Sequence, residues 1–135
     1  MRPETYVIKK IITGAKDISN KKIKKLTLGN TNVYRDWGWA PEYVKIIYKI
    51  ISKTKPDDYI IATGKTTKLD HLVTKIFNYY KLKRVDYLEK SNSLKRILEP
   101  IRIDANVQKL KKKLKQIKKI SINDIILMMI EKKEK

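Results

Sequence analysis

Cysteine is absent from this chain and histidine occurs once, which leaves little chemistry for metal binding. Without thiols there is no disulfide framework and no thiolate metal site, as suits a protein of a reducing compartment. The single histidine, His71, stands beside Leu72 in a predicted helix, with no second histidine to join it. We interpret it as a helix-surface side chain and predict neither a metal site nor a catalytic histidine.

Glycine is also scarce, and its four positions, 14, 29, 38 and 64, are scattered. No G-x-x-G-x-x-G or G-x-x-x-x-G-K-S/T pattern follows a predicted strand, so no phosphate loop for a dinucleotide is predicted. Apolar runs stay well short of the roughly 18 residues that a membrane span needs. The opening "MRPETYVIKKIITG" alternates apolar and basic residues, unlike a secretory signal. We expect a cytoplasmic protein that does not enter a membrane.

Acidic residues are few, since 14 Asp and Glu stand against 33 Lys and Arg and give a net charge of +19. Such a charge attracts phosphates, nucleic acid or anionic surfaces, although a genome rich in A and T would also favour lysine. At 135 residues with 41% hydrophobic content, the chain fits a single domain, 1–135, with a buried core.

Hydrophobic periodicity alternates between helical and extended patterns along the chain. The spacing predicts helices at 4–18, 41–51, 68–80, 106–118 and 122–133, and short strands at 26–30, 33–37, 59–64 and 84–89. Thr67 is a predicted cap, and Ser121 with Asp124 approximates a capping box before the last helix. Segment 91–106 is mostly extended and is broken by Pro100. This alternation predicts an α/β fold with a small mixed sheet, in which the last helix could be peripheral.

Two of the predicted helices are clearly amphipathic. In helix 41–51 the apolar residues fall on one face: Val44, Ile47, Tyr48 and Ile51. In helix 106–118 the apolar positions recur at helical spacing, at Val107, Leu110, Leu114 and Ile117. The lysines on its remaining faces are either a solvated surface or a surface for nucleic acid or acidic lipid. No tyrosine or tryptophan is interleaved with them, as a platform for single-stranded nucleic acid would require.

Arg35 stands in the least ordinary stretch of the sequence, "LTLGNTNVYRDWGWAPEYV" at 26–44. It falls between a short strand and a helix start, where a guanidinium can bind a diphosphate through two parallel hydrogen bonds. Asp36 could orient it or cap the next segment, while Trp37 and Trp39 would bury one side. The alternative is a structural pair of Arg35 and Asp36 beneath the tryptophans.

The same stretch, followed by "DDYIIATGKT" at 57–66, closely resembles the C-terminal part of GDP-mannose 4,6-dehydratases, which are extended short-chain dehydrogenases/reductases. The family pattern is approximately L-G-N-x-x-x-x-R-D-W-G-x-A-x-x-Y-V and then D-D-Y-V-I-A-T-G-E-T. Two further stretches, "RPETYVIKKI" at 2–11 and "RILEPIRIDAN" at 96–106, resemble the family's R-G-E-T-F-V-T-R-K-I and R-P-T-E-V-D-L-L-L-G-D. The likeness runs from Arg2 to about Leu114.

The resemblance implies the C-terminal lobe of that fold, which binds the GDP end of GDP-mannose. Val7 and Lys10 match binding residues of the family's first helix, and Arg35 matches an arginine on the diphosphate. Arg96 and Glu99 match residues that close over the nucleotide and its ribose.

The family's N-terminal Rossmann lobe, which carries the NADP site and the catalytic Thr, Tyr, Lys and Glu, has no counterpart in these 135 residues. The resemblance therefore implies that the chain alone binds no cofactor, carries no catalytic residue and is inactive. It would bind GDP-mannose or GDP, in the route to GDP-4-keto-6-deoxymannose and GDP-fucose, beside a separately encoded NADP-binding lobe. The alternatives are a non-enzymatic relic that keeps affinity for GDP-sugars and a small basic protein associated with nucleic acid.

Overall fold

A computed structural model of the chain describes residues 6–53, 55–91, 98–114 and 120–131. The chain is divided into two compact units. Unit 1 comprises Met1–Tyr34 and Lys68–Arg102, and unit 2 comprises Arg35–Thr67 and Ile103–Lys135. Within the described ranges, no helix combines the length and the apolar character that crossing a membrane would take.

Helices and short strands alternate along the described chain, as an α/β fold requires. In chain order they are α1 (Val7–Ser19), β1 (Leu26–Leu28), β2 (Tyr34–Asp36), α2 (Ala40–Lys53), β3 (Thr66–Lys68), α3 (Leu69–Tyr79), α4 (Arg84–Tyr87), β4 (Leu88–Lys90), α5 (Gln108–Lys113) and α6 (Ile122–Glu131). Strand β1 pairs in parallel with β4, and β2 forms a second two-stranded sheet with β3. The α/β class is confirmed, whereas the single small sheet is corrected to two.

Unit 1 has its core between α1 and α3. The apolar stripe of α1 buries Ile11, Ile12 and Ala15, and α3 buries Leu72 and Phe77, all at 1% exposure or less. Burying a large apolar side chain contributes about 1.5–3 kcal/mol, so the contact between these two helices stabilises the unit.

Gly14 lets β1 approach α1 closely. A Cβ atom at this position would lie 2.7 Å from Cδ1 of Leu26, which is closer than van der Waals contact allows. The glycine is thus a packing residue of the helix.

Unit 2 has a core around Ile46 of α2. Ile46 packs with Leu110 and Leu114, and the partly buried Tyr43, Ile50, Tyr59 and Ile61 pack against them. In α6, Ile125, Ile126 and Ile130 are buried.

Where their residues are described, the predicted helices 4–18, 41–51, 68–80 and 122–133 match α1, α2, α3 and α6 to within two residues at each end. The predicted helix 106–118 was too long, because α5 covers only Gln108–Lys113 and the described residues 106, 107 and 114 are not helical. The last helix starts where Ser121 indicated, because the Ser121 hydroxyl accepts the backbone N–H of Asp124 at 3.2 Å. His71 lies exposed on α3, as predicted. The predicted positions in 1–5, 92–97, 115–119 and 132–135 lie outside the described residues.

Three other local predictions were wrong. The stretch 59–64 contains no regular strand, because two of its backbone N–H groups donate to a side chain instead of a neighbouring strand. Thr67 belongs to β3, and the residue that precedes α3 is Lys68, without a side-chain cap. The predicted strand 84–89 is half helical, since α4 takes Arg84–Tyr87 before β4 begins at Leu88.

Candidate functional site

Arg35 is the middle residue of β2, and the strand sets its direction. Successive side chains of a strand point to opposite faces, so Arg35 points to the face opposite that of Tyr34 and Asp36. Arg35 is half-buried. A guanidinium on a strand presents five N–H donors in one plane, which matches the oxygens of a phosphate or diphosphate.

Asp36 ties a distant turn to β2. Its Oδ1 accepts a hydrogen bond from the backbone N–H of Thr63 at 2.9 Å, and its Oδ2 accepts one from the N–H of Gly64 at 2.7 Å. Rather than capping the segment that follows it, Asp36 joins the R-D-W motif to the A-T-G motif. The two most distinctive motifs of the sequence therefore form one local structure, with Arg35 directly beside the junction.

Trp37 and Tyr43, which follow Asp36 in the sequence, form further hydrogen bonds near this junction. The indole Nε1 of Trp37 donates to the carbonyl oxygen of Thr67 at 3.0 Å. The Tyr43 hydroxyl is hydrogen-bonded to Asp36, and burial, followed by the negative charge of Asp36, raises the pKa of this hydroxyl above its ordinary 10.0. Tyr43 therefore stays a proton donor at neutral pH.

Gly64 has a left-handed backbone conformation in the turn that Asp36 holds. Its φ is +72°, in the left-handed region, and a Cβ atom there would lie 2.6 Å from Cγ2 of Val107. Both the backbone conformation and the space require glycine at this position.

Replacing Gly64 with alanine should lower the free energy of unfolding by at least about 1–2 kcal/mol, because the left-handed conformation costs an L-residue that much and the added Cβ also crowds Val107. Gly64→Asn should lose less, because asparagine adopts this conformation more readily. Urea denaturation of the three proteins checks the order of stability. Equal midpoints for wild type and Gly64→Ala would show that the turn tolerates other conformations.

The other residues indicated by the resemblance lie elsewhere in the chain. Val7 and Lys10 lie on α1, one helical turn apart and both half-buried, in unit 1. Glu99 is half-buried in an irregular segment of the same unit, and Arg35 is the first residue of unit 2. Arg96 lies outside the described residues. The grouping of these five residues into one binding site stays a prediction.

A partly buried polar cluster around Asp70 was not foreseen from the sequence. Arg84 Nη2 donates to Asp70 Oδ1 at 2.6 Å and Arg84 Nη1 donates to Oδ2 at 3.0 Å. The hydroxyl of Thr31, a residue that is 3% exposed, also donates to Oδ1, at 2.9 Å. The only sequence signal was an aspartate in the first turn of a helix, which does not identify an arginine 14 positions later.

Acidification should remove the stability that the Asp70–Arg84 ion pair contributes to the folded protein. The hydrogen bond from Arg84 lowers the pKa of Asp70 from 3.8 to about 2. Because the folded pKa is depressed, the stabilisation is complete above about pH 4 and is lost as pH falls through 2. The shift corresponds to about 1–2 kcal/mol after a discount for solvent screening at a partly exposed pair.

Urea denaturation of wild type and Asp70→Asn at pH 6 and at pH 2 measures this contribution. The wild type should lose more stability on acidification than Asp70→Asn, by about 1–2 kcal/mol. Asp86→Asn, at an exposed aspartate of α4, is the matched control and should follow the wild type. The same loss in all three proteins would assign the acid sensitivity to other groups.

Tyr34, which precedes Arg35, carries cationic side chains near its ring. The Lys68 Nζ is 5.9 Å from the ring centroid, and the Arg102 Cζ is 5.4 Å from it. Both distances suit cation–π attraction. No pattern in the sequence indicated that these three residues meet.

Comparison with known proteins shows which family this chain matches. The family model described as GDP-mannose 4,6 dehydratase matches residues 1–129.

The chain belongs to the GDP-mannose 4,6-dehydratase family.

Among curated members of the family, GDP-mannose 4,6 dehydratase 2 of Arabidopsis thaliana is 29% identical over 130 residues, which are 96% of this chain and 35% of the relative. The Dictyostelium discoideum GDP-mannose 4,6 dehydratase is 30% identical over 148 residues, with 97% of this chain and 42% of the relative covered. The chain thus spans less than half the length of these GDP-mannose 4,6-dehydratases.

Solved structures of low sequence identity share the fold of this GDP-mannose 4,6-dehydratase family chain. The dTDP-glucose 4,6-dehydratase of Bacillus anthracis, solved with NAD, matches 98% of this chain with 40% of its own, at a TM-score of 0.82 and 18% identity. RMD of Pseudomonas aeruginosa, solved with NADPH, matches 96% of this chain with 43% of its own, at a TM-score of 0.77 and 16% identity. The fold of this chain therefore corresponds to part of such proteins.

Three of the four glycines do not fit the pyrophosphate of a nicotinamide dinucleotide, a cofactor with which fold relatives were solved. A dinucleotide needs glycines whose open space admits the pyrophosphate. At Gly14, Gly38 and Gly64 that space is taken by the protein's own Leu26, Tyr43 and Val107 side chains. Nor do any three His, Asp or Glu residues within the described ranges lie together as metal ligands.

Proposed function

We propose that this chain is the substrate-binding part of a GDP-mannose 4,6-dehydratase and binds GDP-mannose. The observation that carries the proposal is the match of the family model to residues 1–129, which includes both distinctive motifs. The hydrogen bonds from Thr63 and Gly64 to Asp36 support it, because they hold the motif that contains Arg35 in a defined local structure.

Each proposed contact follows from the chemistry of the ligand. Arg35 donates two parallel hydrogen bonds to the diphosphate, and Lys10 adds a positive charge at the GDP end. Val7 supplies an apolar surface to the nucleotide. Glu99 accepts hydrogen bonds from ribose hydroxyls, and Arg96 closes over the nucleotide.

The role of the chain is to bind and orient the substrate. Conversion of GDP-mannose to GDP-4-keto-6-deoxymannose, on the way to GDP-fucose, requires hydride chemistry that a nicotinamide supplies, and Gly14, Gly38 and Gly64 leave no space for its pyrophosphate. We therefore assign no catalytic residue and no bound cofactor to these residues. Binding energy at the GDP end would position the sugar for a separate NADP-binding lobe.

Calorimetric titration of the purified chain with GDP-mannose tests the proposal, with GDP and a short DNA duplex as comparison ligands. Saturable binding of GDP-mannose that persists at physiological salt is expected. DNA binding through the +19 charge alone should instead fall steeply as salt rises. Binding of DNA without binding of the nucleotide sugar would favour the nucleic-acid alternative, and binding of neither would indicate a relic.

A further inference from the structure

Helices α1 and α3 end in the same kind of turn, and a lysine takes the left-handed position in both. Lys21, after α1, has a φ of +57°, and Lys81, after α3, has a φ of +55°. In each turn the N–H of this lysine donates to the carbonyl three residues earlier, at 2.9 and 3.0 Å, and the next N–H donates to the carbonyl five residues earlier, at 2.8 and 2.9 Å. This is a Schellman ending, in which glycine is the usual residue because most L-residues adopt the left-handed conformation at a cost. Lysine in this conformation at both turns therefore points to a use for the side chain.

The two turns lie at one edge of unit 1. Strand β1 pairs in parallel with β4, with Leu26 opposite Leu88, so the segments that enter these strands lie at the same edge of the sheet. One is the turn 20–25, and the other is the segment 80–87, which includes α4. Helices α1 and α3, which precede these segments, also pack against each other. We call the two segments together the basic edge.

Positive charge is in excess along the basic edge. Its exposed lysines are Lys21, Lys22, Lys24, Lys25, Lys81 and Lys83. The turn 20–25 contains no acidic residue, and the segment 80–87 contains one, Asp86. Lys25 forms an ion pair with Glu89 at 2.8 Å, in which both side chains are half exposed. The negative end of a helix dipole favours a cation, but this accounts for about one lysine in each turn and not for six.

Aliphatic side chains protrude among these lysines. Ile23 is 40% exposed between Lys22 and Lys24, and Val85 is 91% exposed on α4. At a lipid surface, such side chains enter the boundary between headgroups and acyl chains while lysines meet anionic headgroups. Nucleic acid also attracts lysines, but it favours aromatic residues that stack on bases over protruding aliphatic ones.

We propose that the basic edge docks this chain on an anionic lipid surface. Each lysine close to such a surface strengthens binding about fivefold, and the two aliphatic side chains add contacts that salt does not screen. The chain then lies on the bilayer without crossing it. This inference does not rest on the proposed function, because the basic edge contains none of the residues assigned to GDP-mannose.

Sedimentation with lipid vesicles tests the charge at the basic edge. Wild type should bind vesicles of equal parts phosphatidylcholine and phosphatidylglycerol, and not phosphatidylcholine alone. Lys21→Gly/Lys81→Gly removes two charges and both left-handed lysines, so it should weaken binding to the anionic vesicles about tenfold or more while keeping or raising the thermal midpoint. The control Lys111→Gln/Lys112→Gln removes equal charge from the exposed side of α5 and should weaken binding less than about threefold.

A second variant separates lipid from nucleic acid. Ile23→Gln/Val85→Gln keeps every charge and should weaken vesicle binding about fivefold or more, while binding of a short DNA duplex stays within about twofold of wild type. The proposal would be overturned by a wild type that does not bind anionic vesicles, or by equal losses in the glycine variant and the α5 control. Vesicle binding that Ile23→Gln/Val85→Gln leaves unchanged, with DNA binding lost in the glycine variant, would assign the basic edge to nucleic acid instead.

Discussion

Replacing Asp36 with alanine should lower the free energy of unfolding by about 2–3 kcal/mol. The carboxylate accepts two backbone N–H groups, at 2.9 and 2.7 Å, and hydrogen bonds to a charged group contribute about 1.5–3 kcal/mol each. Gly64 is exposed, so water can replace part of what its N–H loses, and the expected total falls below the simple sum of the two hydrogen bonds. Urea denaturation followed by circular dichroism measures the change.

Two further variants separate the hydrogen bonds from a general charge effect. Asp36→Asn keeps the shape and one carbonyl acceptor, so it should lose about half as much stability as Asp36→Ala. Asp58→Ala removes an exposed aspartate from the loop before the A-T-G motif and should change stability by no more than about 0.5 kcal/mol. If Asp36→Ala unfolds at the wild-type urea concentration, the junction between the two motifs does not stabilise the fold.

Replacing Arg35 with alanine should weaken GDP-mannose binding by about 1.5–3 kcal/mol, or about 10- to 150-fold, which is the range for charge-assisted hydrogen bonds. Arg35 is half-buried in β2 and faces away from the side of Asp36, so its removal should affect the ligand more than the junction. Calorimetric titration of the variant with GDP-mannose gives the affinity directly.

Two other substitutions test whether positive charge alone accounts for the affinity for GDP-mannose. Arg35→Lys keeps the positive charge but loses the planar pair of donors, so it should recover only part of the affinity. Lys24→Ala removes one positive charge from the exposed turn before β1 and should leave affinity within about twofold of wild type. Equal affinities of wild type and Arg35→Ala would remove Arg35 from the proposed site.

Helices were predictable because their signal is local and repeated. The stripe Ile11, Ile12 and Ala15 in α1 recurs at helical spacing, and the structure buries it completely or nearly so. Strands of three residues carry a weaker signal, and β3 was missed because Thr66–Lys68 has no apolar run. The stretch 59–64 has such a run, but two of its N–H groups donate to Asp36, which lies 27 and 28 residues earlier in the chain.

Hydrophobic periodicity does not predict which side chains form pairs when they are distant in sequence. Asp70 and Arg84 form an ion pair with two hydrogen bonds, yet each residue alone has an ordinary sequence setting. Helix α2 shows a limit of periodicity itself. The spacing predicted an apolar face of Val44, Ile47, Tyr48 and Ile51, whereas the residues that pack in the core are the neighbouring Tyr43, Ile46 and Ile50. The R-D-W and A-T-G motifs were recognised by their resemblance to a family, and their contact through Asp36 emerged only from the structure.

The most direct measurement is a nuclear magnetic resonance titration of the isotope-labelled chain with GDP-mannose. If the chain binds its ligand as proposed, backbone shifts should change in a saturable way at Val7, Lys10, Arg35 and Glu99, and at Thr63 and Gly64 beside the junction. Shifts confined to the lysines of α5, or no shifts at all, would contradict the assignment of this chain as the GDP-mannose-binding part of its family.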